Sequence, residues 1–124
     1  MLTNNTQLKR AMPYLFLALL AITTLLLLIE LEPSKASFPH SDKIIHVLLF
    51  LSLSTTGYLS FPKHPIFIFV GLAFYGALTE VLQDLLTVTR HASFLDWIAD
   101  IAGILLCLLV IHLFKHQAKA QHDF

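Results

Sequence analysis

The chain has 124 residues, of which 56% are hydrophobic and 13% charged, about half the charged share of an ordinary soluble domain. Eight basic and eight acidic side chains cancel, so there is no basic stripe of the kind a nucleic-acid partner needs. A single cysteine, Cys107, rules out an intramolecular disulfide and leaves the fold to be held by helix packing.

The first apolar run extends over 11–31, preceded by Lys9 and Arg10, with Pro13 near its start, where a missing amide donor costs little. Its length, and the Glu30, Glu32 and Pro33 that follow directly, read as a retained anchor and not as a cleaved signal. The second run, 43–61, follows the capping residues Ser41 and Asp42 and ends before Pro62; its middle is softer, with Ser52, Ser54, Thr55, Thr56 and Gly57. The third, 66–86, starts after Pro65 and carries Glu80, Gln83 and Asp84 near its end. The fourth, 94–114, carries Asp96 and Asp100 near its beginning.

At about 1.5 Å rise per residue, a run of about 20 residues covers roughly 30 Å, the thickness of a bilayer's hydrocarbon core. Four runs therefore predict four transmembrane helices in a single membrane domain, 1–124. Short connections predict that neighbouring helices lie antiparallel in a compact all-α bundle. Basic residues set the orientation, because short loops rich in Lys and Arg stay in the cytoplasm. With both termini inside, Lys9, Arg10, Lys63, Lys115 and Lys119 are cytoplasmic, and Lys35, Lys43 and Arg90 lie outside.

That topology brings the polar ends of three helices to the outer face. Asp42 and His46 share one face of the second helix, with Lys43 beside them. Glu80, Gln83 and Asp84 form a stripe on the third helix. Ser93, Asp96, Asp100 and Gly103 recur at three, four and three on the fourth, and Arg90 and His91 lie in the loop between them. The fourth run has thirteen Leu, Ile, Val and Phe residues, which favour insertion by roughly 4 to 8 kcal/mol in total. Two aspartates at the bilayer centre would oppose that with about 5 to 7 kcal/mol. The acids therefore belong near the helix end, in a shallow, water-reachable pocket.

In this pocket His46, Glu80 and Asp96 are the candidate catalytic residues. An imidazole titrates near neutral pH, and carboxylates act as general acids, general bases or cation ligands. Asp42, Lys43, Gln83, Arg90, Ser93 and Asp100 are candidate ligand-binding residues, with the Arg90 guanidinium suited to phosphate or carboxylate. The plain alternative is that the same groups only tie helices together. Which cofactor, if any, and which metal belong here is unknown from the residues, and no nucleophile motif fixes a reaction. A membrane lipid is the expected partner, and a homodimer is a candidate assembly because four helices leave a narrow interior. Trp97 and Tyr75 read as interface or packing residues. Gly71, Gly76, Ala99 and Gly103 read as points of close helix approach. The tail from Lys115 reads as frayed and solvated.

Three fragments carry a resemblance. Asp42-Lys43-Ile44-Ile45-His46, then Glu80-Val81-Leu82-Gln83, then Arg90-His91-Ala92-Ser93-Phe94-Leu95-Asp96-Trp97-Ile98-Ala99-Asp100 with Gly103 resemble, in order and spacing, the VanZ-like family of small bacterial membrane proteins. The match covers about 42–103. It implies a bacterial cell-envelope protein of the inner membrane, in some members linked to lowered susceptibility to the glycopeptide teicoplanin, an antibiotic-resistance trait. One position departs: Asp100 stands where the family commonly has Asn, so a carboxylate there is expected to be protonated or to pair with Arg90 or Lys43. Three functions compete: binding of a lipid headgroup or wall-related amphiphile, a small membrane enzyme (hydrolase or transferase) on a lipid-linked phosphate or ester, and a structural or scaffold subunit.

Overall fold

A computed structural model describes residues 2–29, 41–87 and 93–122. Among these the chain is helical throughout its long segments: α1 (Leu2–Leu28), α2 (Ser41–Ser60), α3 (Pro65–Leu86) and α4 (Phe94–His122). Each contains a stretch long and apolar enough to cross a membrane: Thr6–Leu28, Asp42–Ser60, Pro65–Leu86 and Phe94–Gln121.

Two helices are longer than their apolar runs. α1 begins at Leu2 instead of residue 11, so Pro13 lies inside the helix and removes one interior hydrogen bond instead of sitting at the first turn. Helix α4 continues past residue 114 to His122, because Ala, Lys and Gln in this tail are strong helix formers even when exposed. The expectation of a frayed end is thereby corrected. Helix α3 starts with Pro65 at its first turn, where the fixed φ suits a helix and no donor is lost. The α2–α3 connection is closed by Phe61 N–H donating to Gly57 O at 3.0 Å and His64 N–H to Phe61 O at 3.1 Å.

α2 and α3 each touch the other three helices, with the α2–α4 contact the most extensive, while the backbones of α1 and α4 do not meet among the described residues. Along α2 and α4 the paired positions rise together: Thr55 Oγ1 meets Cys107 Sγ at 3.7 Å and Lys115 Nζ lies 5.8 Å from the Tyr58 ring centre. Between α2 and α3 one number rises as the other falls, with Phe50 against Tyr75 (ring centres 5.8 Å apart) and Tyr58 stacked on Phe69 at 6.3 Å.

The core is narrow. Phe16, Leu27, Phe50, Leu53, Leu72 and Ile104 form its apolar centre, whereas many large side chains point outward, among them Phe67, Phe74, Leu85 and Phe114. In water so much exposed apolar surface would drive association; on a membrane span it is the lipid-facing side. With no hydrophobic force to bring helices together in lipid, small residues at the contacts let backbones approach. Gly103 is the sharpest case, since a Cβ there would lie 2.5 Å from Val47 O and 2.9 Å from Leu51 N. The reading of Gly71 as a close-approach point is corrected: nothing lies within 4 Å of a Cβ placed there.

Candidate functional site

Polar side chains of three helices converge near one end of the molecule. By the helical rise, His46 lies about 6 Å and Asp100 about 9 Å inside the starts of their spans, and Glu80 about 9 Å before the end of its own. His46 Nδ1 and Asp100 Oδ1 are 2.7 Å apart, a buried hydrogen bond that joins α2 to α4. On the other side of the ring, Nε2 stands 3.9 Å from Asp96 Oδ2. Lys43 Nζ, partly exposed, lies 3.4 Å from Asp96 Oδ1 and 3.5 Å from Asp42 Oδ2, forming the rim of the cluster.

Glu80 reaches across from α3. Its Oε2 accepts the Ser93 backbone N–H at 3.0 Å, at the N-terminus of α4. Ser93 Oγ in turn accepts the Asp96 N–H at 3.3 Å, the third helical amide, as an N-cap does. One ligand atom from each of His46, Glu80 and Asp100 falls within 4.8 Å of the others, and all three residues are buried. Phe50 and Gly76 complete the surroundings of Asp100: a Cβ on Gly76 would lie 2.9 Å from Asp100 Oδ2 and 3.3 Å from the Phe50 ring.

Three carboxylate oxygens in this cluster, Glu80 Oε1, Asp96 Oδ1 and Asp100 Oδ2, are buried without a hydrogen-bond partner. For Asp96 Oδ1 the Lys43 ammonium at 3.4 Å supplies charge only. A buried acceptor left unmade costs about 1 to 3 kcal/mol, and more when charged. Three such atoms in one place are a demand for protons, water or a cation.

The cluster is more closed than the expected open pocket. His46, Glu80 and Asp100 are 3%, 5% and 0% exposed, with Phe50 beside Asp100 and the close approach of α2 and α4 at Gly103. A crevice of about 310 Å³ lies beside Glu80 on the α3–α4 side, lined by Ala77, Glu80, Ser93, Phe94 and Trp97. Trp97 is fixed there by its Nε1–H, which donates to Ala73 O at 3.0 Å.

Of the sequence-derived candidates, His46, Glu80, Asp96, Asp100, Lys43 and Ser93 come together, with Asp42 exposed at the rim. Gln83 serves elsewhere: its Nε2 donates to Leu27 O at 2.6 Å, satisfying a carbonyl in the last turn of α1. Arg90 and His91 lie outside the described residues. The expected pairing of Asp100 with Lys43 is corrected, since Asp100 bonds to His46 and the lysine goes to Asp96. Gly76, read only as a contact point, also makes room for the Asp100 carboxylate, a role no single-helix pattern signals. Tyr75 bonds to Thr24 Oγ1 at 2.5 Å, tying α3 to α1. Compared with known proteins, this chain matches no family model, no curated protein and no solved structure.

Proposed function

We propose that this chain is a multi-pass protein of the bacterial cytoplasmic membrane, of the VanZ-like type, that binds the headgroup of a lipid or cell-wall-related amphiphile. In this reading the four helices form a compact antiparallel bundle with both termini in the cytoplasm, and the His46 cluster lies just beneath the outer surface. The link to glycopeptide susceptibility comes from the resemblance of 42–46, 80–83 and 90–103 to that family.

One observation carries the reading: carboxylate oxygens of Glu80 and Asp100 are buried without a hydrogen-bond partner beside an imidazole, about 6 to 9 Å inside the ends of their spans. Ionisable groups inside spans are expensive and mark binding or transfer sites. Single buried hydroxyls elsewhere, on Thr23 and Ser54, also go without a hydrogen-bond partner; what sets the cluster apart is that its unpartnered atoms are carboxylate oxygens gathered in one place. The crevice beside Glu80 gives a route from the lipid-facing surface, with Phe94 and Trp97 as apolar walls.

Native mass spectrometry of the purified protein tests this reading. The wild type retains lipid; His46→Ala and Arg90→Ala lose it while keeping a helical circular-dichroism spectrum. A wild type that carries no lipid, or variants that carry as much, would overturn it.

A second reading, a small membrane enzyme, draws on the His46–Asp100 bond. A carboxylate on Nδ1 fixes the ring's tautomer and leaves Nε2 to act as a base. It differs in outcome: His46→Ala would abolish turnover of a lipid-linked phosphate or ester while lipid stays bound.

A further inference from the structure

We infer that His46, Glu80 and Asp100 form a binding site for one first-row divalent cation of the Zn²⁺ or Mn²⁺ kind, inserted between α2, α3 and α4. Four features of the side chains support it. Their ligand atoms lie within 4.8 Å of one another. Two ligands on one ion, at bonds of about 2.0 to 2.2 Å, stand at most about 4.4 Å apart. On a tetrahedral ion ligand atoms stand about 3.4 Å apart, so closing the cluster needs a shift of up to about 1.4 Å, within the reach of the long Glu80 side chain. All three groups are buried, so an ion would be held away from bulk water.

The second feature is the pair of oxygens Glu80 Oε1 and Asp100 Oδ2, buried and unpartnered in residues 5% and 0% exposed. Third, Gly76 keeps the space next to Asp100 Oδ2 clear, where a methyl group would stand 2.9 Å away. The fourth is charge. The described cluster sets the carboxylates of Asp42, Glu80, Asp96 and Asp100 against one lysine and one histidine. Such an excess of acid in low dielectric is relieved by a cation.

The donor set selects the ion. One imidazole nitrogen with carboxylate oxygens suits Zn²⁺ or Mn²⁺, whereas Ca²⁺ and Mg²⁺ favour oxygen alone. An ion on His46 Nδ1 takes the place of the proton that Nδ1 and Asp100 Oδ1 share at 2.7 Å, so that hydrogen bond already holds two of the ligand atoms side by side. His112 and His116 on the lower part of α4, with ring centres 6.3 Å apart, are exposed and have no carboxylate in the described group. They are the natural site of adventitious binding and so the necessary control.

The ion also alters what the recess accepts. Without it the acidic cluster repels a phosphate; a divalent ion removes most of that excess negative charge and, with three protein ligands, keeps a coordination position open to a phosphate or carboxylate oxygen. This bridging role rests on the headgroup-binding reading above, while the ion site itself rests on side-chain geometry alone.

The test uses full-length protein in detergent, stripped with EDTA and titrated with ZnCl₂ or MnCl₂ alone. One equivalent is expected to bind, in the wild type and equally in a His112→Ala/His116→Ala double variant. Glu80→Gln and Asp100→Asn preserve shape and remove charge, and each, as loss of a ligand, is expected to weaken binding by more than the roughly 10- to 100-fold that loss of an outer-shell partner costs. Absence of stoichiometric metal in the histidine double variant, or unchanged affinity in both carboxylate variants, would overturn the site. Should the carboxylate variants fail to fold, pulsed electron paramagnetic resonance of Mn²⁺ in the double variant decides. Coupling to a single imidazole nitrogen is expected, and its absence overturns the proposal. Co-purifying lipid measured before and after EDTA separates the two readings. Metal without lipid leaves the ion site and removes the headgroup reading, whereas lipid indifferent to EDTA with no metal bound does the reverse.

Discussion

The 2.7 Å contact between His46 Nδ1 and Asp100 Oδ1 lets each of two helices bury a group that it could not bury alone. Removing one partner of a buried hydrogen bond leaves the other unsatisfied and costs about 1 to 3 kcal/mol, more where the stranded group is charged. His46→Ala is therefore expected to lower stability by that order, read as a drop in the thermal unfolding midpoint in detergent. Asp100→Asn keeps a side chain able to bond the imidazole and is expected to cost clearly less. Equal losses in the two variants would mean that the hydrogen bond is not what holds the pair. Ser93 offers a finer contrast. Ser93→Ala deletes the hydroxyl that caps the Asp96 amide, at about 1 kcal/mol, but leaves the backbone N–H that Glu80 accepts. Stability should fall slightly while lipid and metal retention persist.

Among the helices, the α2–α4 contact positions the site, and Gly103 sets its spacing. A Cβ at 2.5 Å from a backbone oxygen cannot be absorbed by rotating a side chain, so the helices must separate. Gly103→Ala is expected to destabilise by about 1 to 3 kcal/mol, as overpacking does, and to lengthen the His46–Asp100 contact, so bound lipid or metal falls with it. Gly71→Ala is the matched control. It faces open space, and alanine is the better helix former by about 1 kcal/mol, so the unfolding midpoint should hold or rise. α1 is tied on by different chemistry, through Gln83 to Leu27 O and Tyr75 to Thr24. Bonds of this kind between membrane helices contribute roughly 0.6 to 1.7 kcal/mol; Gln83→Leu should loosen α1 within that range and leave the His46 cluster intact.

For the protein in its bilayer, the arrangement that gives the site meaning is its side of the membrane. Cysteines introduced singly at Ser37, Lys63 and Lys119 of a Cys107→Ala protein, labelled in intact cells with an impermeant thiol reagent, report it. Labelling is expected at position 37 without permeabilisation and at 63 and 119 only after it. The opposite pattern would place the His46 cluster at the cytoplasmic surface and remove the case for an extracellular ligand. The native Cys107 is only 2% exposed, so the wild type should give little background.

Hydropathy and helix punctuation are local properties, and from them the chain alone yielded four apolar helices, the start of α3 at Pro65, and the confinement of Asp42, His46, Glu80, Asp96 and Asp100 to helix ends. The spacing of three and four along α4 likewise placed Ser93, Asp96, Asp100 and Gly103 on one face. What periodicity cannot carry is the rotation of one helix against another. Whether Glu80 or Gln83, both near the end of α3, turned toward α4 or toward α1 depended on that rotation: Glu80 meets Ser93 and Gln83 meets Leu27. The same rotation gave Asp100 to His46 and Lys43 to Asp96, made Gly76 a clearing for a carboxylate, and left Gly71 facing open space. Chain neighbours set helix formation and span length through backbone hydrogen bonds and side-chain transfer energies. Partners and burial at the site were decided by contacts between residues 54 apart in sequence, such as His46 and Asp100, and only the packed helices bring those together.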